Sequence, residues 1–214
     1  MNTLPIRQSV VNLCVKLSHL GYLAGTGGNI ALRIDADRFA VTPSAIDYLS
    51  MHADDVCVVR LTDLQCIEGD RTPSVETSLH ARVFRLRPDV SCSIHTHQPV
   101  ASACALLGRT LEVDDEATRQ IIGPYVPLIG YMPSGTALLA GMVGRAIAPD
   151  LNAYLMRNHG VLCCGASLEA AVASINALEG LARRHLAKRI AEQISTHPRR
   201  AVALHRVLQT LESS

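Results

Sequence analysis

Apolar residues open the chain at helical spacing. Ile6, Val10, Leu13, Leu17 and Leu20 share one face of an amphipathic helix that ends near Gly21. The period then changes. Behind the glycine turn of "GTGGNIALRI", Ile30, Leu32 and Ile34 alternate, which predicts a strand. "RFAVTPSAIDY" predicts a second strand running into a loop, "DDVCVVRL" a third, and "EGDRTP" a turn. "SVETSLHARVFRLRPD" predicts a helix with Ser74 as N-cap, an acidic first turn and a stop near Pro88. A strand ("VSCSIHTH") and a short helix ("PVASACALLG") follow. Residues 109–135 carry a weaker pattern, with "YVPLIGYM" as strand. Next come a helix ("SGTALLAGMVGRAIA"), a strand pair or hairpin ("NAYLMRNHGVLCCG") and the long helix "SLEAAVASINALEGLARRHLAKRIAEQ". "ALHRVLQTLESS" makes a helical tail. Helices and strands intermix, and neighbouring strands suit antiparallel pairing. The fold class is α/β, a sheet with helices on its faces.

Composition narrows the function classes. The 214 residues suit one domain over 1–214 with a substantial core. The net charge is +1 and no stripe of Lys or Arg runs along the chain, which argues against a nucleic-acid partner. Hydrophobic residues make up 48% but aromatics only 3%, and Trp is absent. The core therefore rests on Leu, Val, Ile and Ala, and no stacking platform for bases is expected. No run is long and apolar enough to span a membrane, and the N-terminus lacks the h-region of a signal peptide; a cytoplasmic protein is expected. The seven cysteines are irregularly spaced without C-x-x-C, which predicts small buried hydrophobes rather than a thiolate metal site.

Candidate chemistry centres on "SIHTHQPV". On a strand, His95 and His97 point to the same side. The pair alone suits packed histidines and metal ligands equally. His159, in "MRNHG", closes another apolar strand beside Gly160, which permits a sharp turn or close backbone approach. A third imidazole would complete the kind of site a catalytic zinc uses, with positions left open. Glu76 near a helix start is either a dipole complement or an acid/base group. His80, one turn later, shares its face and is assigned a structural role. "GTGGN" (25–29), "TPSA" (42–45) and "PS" (73–74) offer N–H groups and hydroxyls to an anion. Neither a dinucleotide fingerprint nor a P-loop is present.

Taken in order, "GTGGNIALR", "VTPSAIDY", "PSVETSLH", "RPDVSCSIHTHQPVASA", "VPLIGYMPSGT" and "RNHGVLCCGASLEAA" resemble the class II aldolase/adducin family over nearly the whole chain. The resemblance implies an αβα three-layer sandwich around a mainly antiparallel sheet, and a homotetramer with active sites at subunit interfaces. It implies a divalent metal on His95, His97 and His159, usually zinc, with manganese or cobalt as alternatives. Glu76 falls where the aldolases carry their acid/base carboxylate; epimerase-like members use Asp there, and dehydratase-like members have no acid. Glu116, in "DDEATRQI", lies near the dehydratases' catalytic Glu. Two departures stand out. The aldolases' T-P-[ST]-G and P-S-S-E read here Thr42-Pro43-Ser44-Ala45 and Pro73-Ser74-Val75-Glu76. Ala45 adds a Cβ, and Val75 removes a hydroxyl whose contact to a charged group is worth about 1.5–3 kcal/mol. A tyrosine found after the H-x-H strand in aldolase members has no assignable counterpart in Tyr125 or Tyr131.

The expected activity is a metal-dependent lyase that cleaves a C–C bond of a small hydroxy-carbonyl, sugar-phosphate-like substrate through a metal-stabilised enediolate. Glu76 would move the proton, with Gly28, Asn29, Thr42, Ser44 and Ser74 at the anionic end. Decarboxylation of a 3-oxo sugar-acid phosphate shares this logic. A non-catalytic adducin-like module predicts lost ligands, and all are present.

Overall fold

The computed structural model describes residues 2–23, 25 and 27–213. Eight strands form the main sheet: β1 (Asn29–Arg33), β2 (Arg38–Val41), β3 (Cys57–Arg60), β4 (Cys66–Glu68), β5 (Cys92–Thr96), β8 (Leu128–Ile129), β9 (Ala153–Met156) and β10 (Gly160–Gly165). Their order is β4-β3-β2-β1-β5-β10-β9-β8. Only β8 beside β9 is parallel. Two further short strands, β6 (Leu111–Glu112) and β7 (Tyr125–Val126), make a separate ribbon.

Among the described residues there are seven α-helices: α1 (Leu4–His19), α2 (Thr77–Leu86), α3 (Pro99–Ala105), α4 (Glu116–Ile122), α5 (Ala137–Ala146), α6 (Leu168–Thr196) and α7 (Ala201–Ser213), of which α4 and α7 pack on α6. Strand alternation decides which side of the sheet the others pack on. Ile30, Leu32, Cys92, Ile94, Val161 and Cys163 meet α1, α3 and α6. The intervening Ala31, Phe39, Leu162 and Cys164 meet α2 and α5. This is the expected αβα sandwich. Among the described residues no helix is long and apolar enough to cross a membrane.

One helix start differs from the expectation. The α2 helix begins at Thr77, so Ser74 is not its N-cap. Glu76 holds that position and makes no capping bond, so the first turn is not acidic. Ser74 Oγ instead accepts the Glu76 N–H at 3.2 Å, and the Ser74 carbonyl accepts the Thr77 N–H at 3.0 Å, turning the chain into the helix. The stop does fall before Pro88, whose ring disfavours helical geometry at Arg87.

A buried carboxylate organises the segment after β5. Glu179, on α6, accepts the N–H groups of Val100 and Ala101 at 2.9 Å each, satisfying the open N-terminus of α3. Gln98 donates to the Ile175 carbonyl at 3.2 Å and accepts from Thr96 at 3.0 Å. The His97 N–H donates to Tyr22 O at 3.0 Å. The turn carrying His97 is thus held from both sides.

Candidate metal centre and active site

Three imidazoles meet where the ends of β5 and the β9–β10 hairpin lie side by side. His95, on central β5, pairs with Asn29 of β1 on one side and Leu162 of β10 on the other. His97 lies just past the strand end, and His159 sits in the hairpin turn after Asn158, whose φ of 54° is one that Asn tolerates better than most residues. One ring nitrogen from each lies within 4.8 Å of the others. The Nε2 atoms of His95 and His97 are 3.1 Å apart.

The donor set fits a divalent cation. His95 Nδ1 lies 2.8 Å from the Val161 carbonyl, an acceptor only, so Nδ1 carries the proton and Nε2 presents a bare lone pair to the cluster. Two lone pairs cannot face each other at 3.1 Å without a proton or a cation to share. Burial pushes His95 down to about 4, against the pull of Glu76, and also lowers His97. Neutral imidazoles are the ligating form.

Glu76 closes the cluster. Its side chain is 4% exposed and turned into the cavity. Oε2 accepts from Asn29 Nδ2 at 2.8 Å and lies 3.3 Å from His95 Nε2. Oε1 accepts from Ser134 Oγ at 2.8 Å and lies 3.0 Å from His159 Nε2. Burial alone would push this carboxyl up; the surrounding His159, His95 and Asn29 more than offset it and hold it well below the usual carboxylate range.

The cavity measures about 130 Å³ and brings together Gly28, Asn29, Ser44, Ser74, Glu76, His95, His97 and His159. Its lining contains no Lys or Arg. Thr42, expected at the anionic end, lies outside it. The Thr42 hydroxyl accepts the Ile30 N–H at 3.2 Å, and its carbonyl accepts the Ser74 N–H at 3.0 Å, so it spaces the loop from the sheet. Thr26 of the glycine motif lies outside the described residues. Glu116 is exposed at the start of α4, and Tyr125 and Tyr131 are exposed; none lines the cavity. The cysteines are buried apart from Cys66 and stand outside the cluster.

Two residues were missed in the sequence. Tyr48 is buried and donates to Gly28 O at 2.5 Å, pinning the glycine turn. Ser134 reaches Glu76 from the loop before α5. Its "PSGT" context reads as an ordinary turn, and Tyr48 is a lone loop tyrosine, so neither carried a local signal.

Comparison with known proteins identifies the family. The profile of the class II aldolase and adducin N-terminal domain matches residues 8–186. A 5-deoxy-D-ribulose 1-phosphate aldolase of Bacillus thuringiensis serovar kurstaki is 34% identical over 160 residues, covering 73% of this chain and 72% of that protein. A methylthioribulose-1-phosphate dehydratase of Yersinia enterocolitica is 30% identical over 188 residues, covering 83% and 89%. The solved structure of an L-fuculose 1-phosphate aldolase superposes with a TM-score of 0.78 at 27% identity, covering 86% of this chain and 87% of that one. With a profile match over most of its length and the same fold, this chain belongs to the class II aldolase and adducin family.

Proposed function

We propose that the protein is a zinc-dependent lyase of the aldolase type, acting on a small phosphorylated hydroxy-carbonyl compound. The observation that carries this reading is Glu76, a buried carboxylate with oxygens 3.0 and 3.3 Å from the Nε2 atoms of His159 and His95. His95, His97 and His159 would hold a divalent cation, which when bound would supply Lewis acidity to the substrate. Glu76 rests as the carboxylate, so it acts first as a base. In the condensation direction it takes the proton from the carbon beside the carbonyl; in cleavage the substrate hydroxyl gives up its proton as the C–C bond breaks, and Glu76, protonated in turn, delivers a proton to that carbon. The hydroxyls of Ser44 and Ser74 receive the anionic end beside the Gly28 turn. Asn29, first placed with them, has its amide engaged with Glu76 and His80, so its role shifts toward the acid/base group.

Deuterium exchange from D₂O into dihydroxyacetone phosphate, followed by NMR, tests the reading. Zinc-loaded protein should exchange the carbon-bound proton, and Glu76→Gln should lower the rate by about 10²–10⁴-fold with zinc retained. Wild-type exchange in Glu76→Gln rules Glu76 out. No exchange in zinc-loaded wild type turns the reading to a carboxy-lyase or a non-phosphorylated donor. The same reading takes the protein as a cytoplasmic homotetramer, and light scattering of the purified chain checks the subunit count.

A further inference from the structure

His80 is fully buried on α2 and has no part in the mechanism above. Its two nitrogens are both engaged. Nδ1 lies 2.7 Å from Ser93 Oγ, and Nε2 lies 2.6 Å from Asn29 Oδ1. Asn29 Nδ2 in turn donates to Glu76 Oε2 at 2.8 Å. Ser93, His80, Asn29 and Glu76 therefore form one hydrogen-bonded series, and each member is at most 5% exposed. The β1–β5 register, which pairs Ala31 with Ser93 and Asn29 with His95, brings these strand residues to the α2 side of the sheet.

The Asn29 amide sets every hydrogen in the series. Its NH₂, which can only donate, faces Glu76 Oε2 at 2.8 Å. Its carbonyl then faces His80 and needs a donor, so His80 must carry its proton on Nε2. Nδ1 is left as an acceptor, and the Ser93 hydroxyl must donate to it. The reverse arrangement would place the Asn29 carbonyl against a carboxylate. Burial keeps the imidazole neutral, pushing it down to about 3, so both ring nitrogens keep these distinct roles.

Resting on the function proposed above, we propose that His80 is a positioning residue that, through Asn29, fixes the Glu76 carboxylate. Without the Nε2–H donor, the Asn29 carbonyl is orphaned in a dry site and the amide is free to rotate. With it, Oε2 is anchored from beneath, and Oε1, beside Ser134 and His159, is the oxygen that carries the substrate proton.

The test uses the full zinc-loaded chain. NMR of ¹⁵N-histidine-labelled protein at neutral pH, with the His80 signals assigned by their absence in His80→Gln, should show the proton on Nε2 and a bare Nδ1. A proton on Nδ1, or an imidazolium, overturns the proposal. His80→Leu should lower kcat for deuterium exchange by about tenfold or more, with KM and zinc content at the wild-type level. His80→Gln places an amide donor where Nε2 was and should restore most of the loss. Wild-type kcat in His80→Leu, or a Gln variant no better than Leu, overturns the proposal. If His80→Leu does not fold, the tautomer and a His80→Gln kcat near wild type decide, and a Gln variant as slow as Glu76→Gln counts against it. A wild type that does not exchange this probe yet shows the expected tautomer counts against the proposed function, not against the series.

Discussion

Replacing Gly160 with alanine probes how tightly the three-histidine cluster is packed. The glycine follows His159, and its φ lies outside the left-handed region, so any penalty is steric. A Cβ there would sit 2.5 Å from Thr96 O, 2.6 Å from His97 Cδ2 and 2.9 Å from His95 Cε1. Relaxed contacts need about 3.5–4 Å, so the groups must part by roughly 1 Å. The carbonyl belongs to the β5 backbone, the His95 ring is held by the Val161 carbonyl, and the backbone that carries the His97 ring is tied by its N–H to Tyr22 O. Overpacking of this kind costs about 1–3 kcal/mol of stability. On the proposed function, displaced imidazoles should also weaken zinc binding, by analogy with lost outer contacts that cost about 10–100-fold. Thermal unfolding of the metal-free protein and chelator competition for zinc measure the two effects. Gly141→Ala, on α5, is the control: nothing lies within 4 Å of the added methyl. It should gain up to about 1 kcal/mol through helix propensity. A Gly160→Ala protein with the wild-type melting temperature and zinc affinity would show that the close approach does not matter and refute the reasoning.

Three other perturbations follow from single features. Ala45 has φ of 54°, so Ala45→Gly should raise stability by about 1 kcal/mol in a denaturant titration, and no gain would mean the turn is not strained. Ser134→Ala removes the 2.8 Å hydroxyl bond to Glu76 Oε1, and a bond to a charged group, worth about 1.5–3 kcal/mol, corresponds to a kcat loss of about tenfold or more; an unchanged kcat would show that Ser134 does not act on Glu76. Of the seven cysteines only Cys66 is exposed, and burial pushes the thiols of Cys57, Cys104 and Cys164 up to about 12, so brief native alkylation at pH 8 should add one label by mass spectrometry; a second label would show that the core opens.

The parts of this protein that were legible along the chain share a physical cause. Long helices such as α6 show their period over many residues, whereas α4 at 7 residues, β4 at 3 and β6 at 2 offer too few positions for any period to register. The start of α2 was misplaced because Ser74 satisfies a capping rule that looks only at neighbours. What moved the start was Glu76, whose side chain is bound to Asn29 and Ser134, residues 47 and 58 positions away. The site follows the same division. Asn29, Ser93 and His95 are polar residues on strands buried on both faces, and burying a polar group without a partner costs free energy. Such residues announce that partners exist but not which ones. The H-x-H spacing placed two imidazoles side by side, yet His159 joined them only through the pairing of β10 with β5. Thr42 shows the converse. A hydroxyl in a recognised motif can face the cavity or the sheet, and here the Ile30 N–H, open beside it, settles the choice. His80 was assigned a structural role for the same reason, since nothing within its own helix reveals that the group across the sheet is the amide holding Glu76.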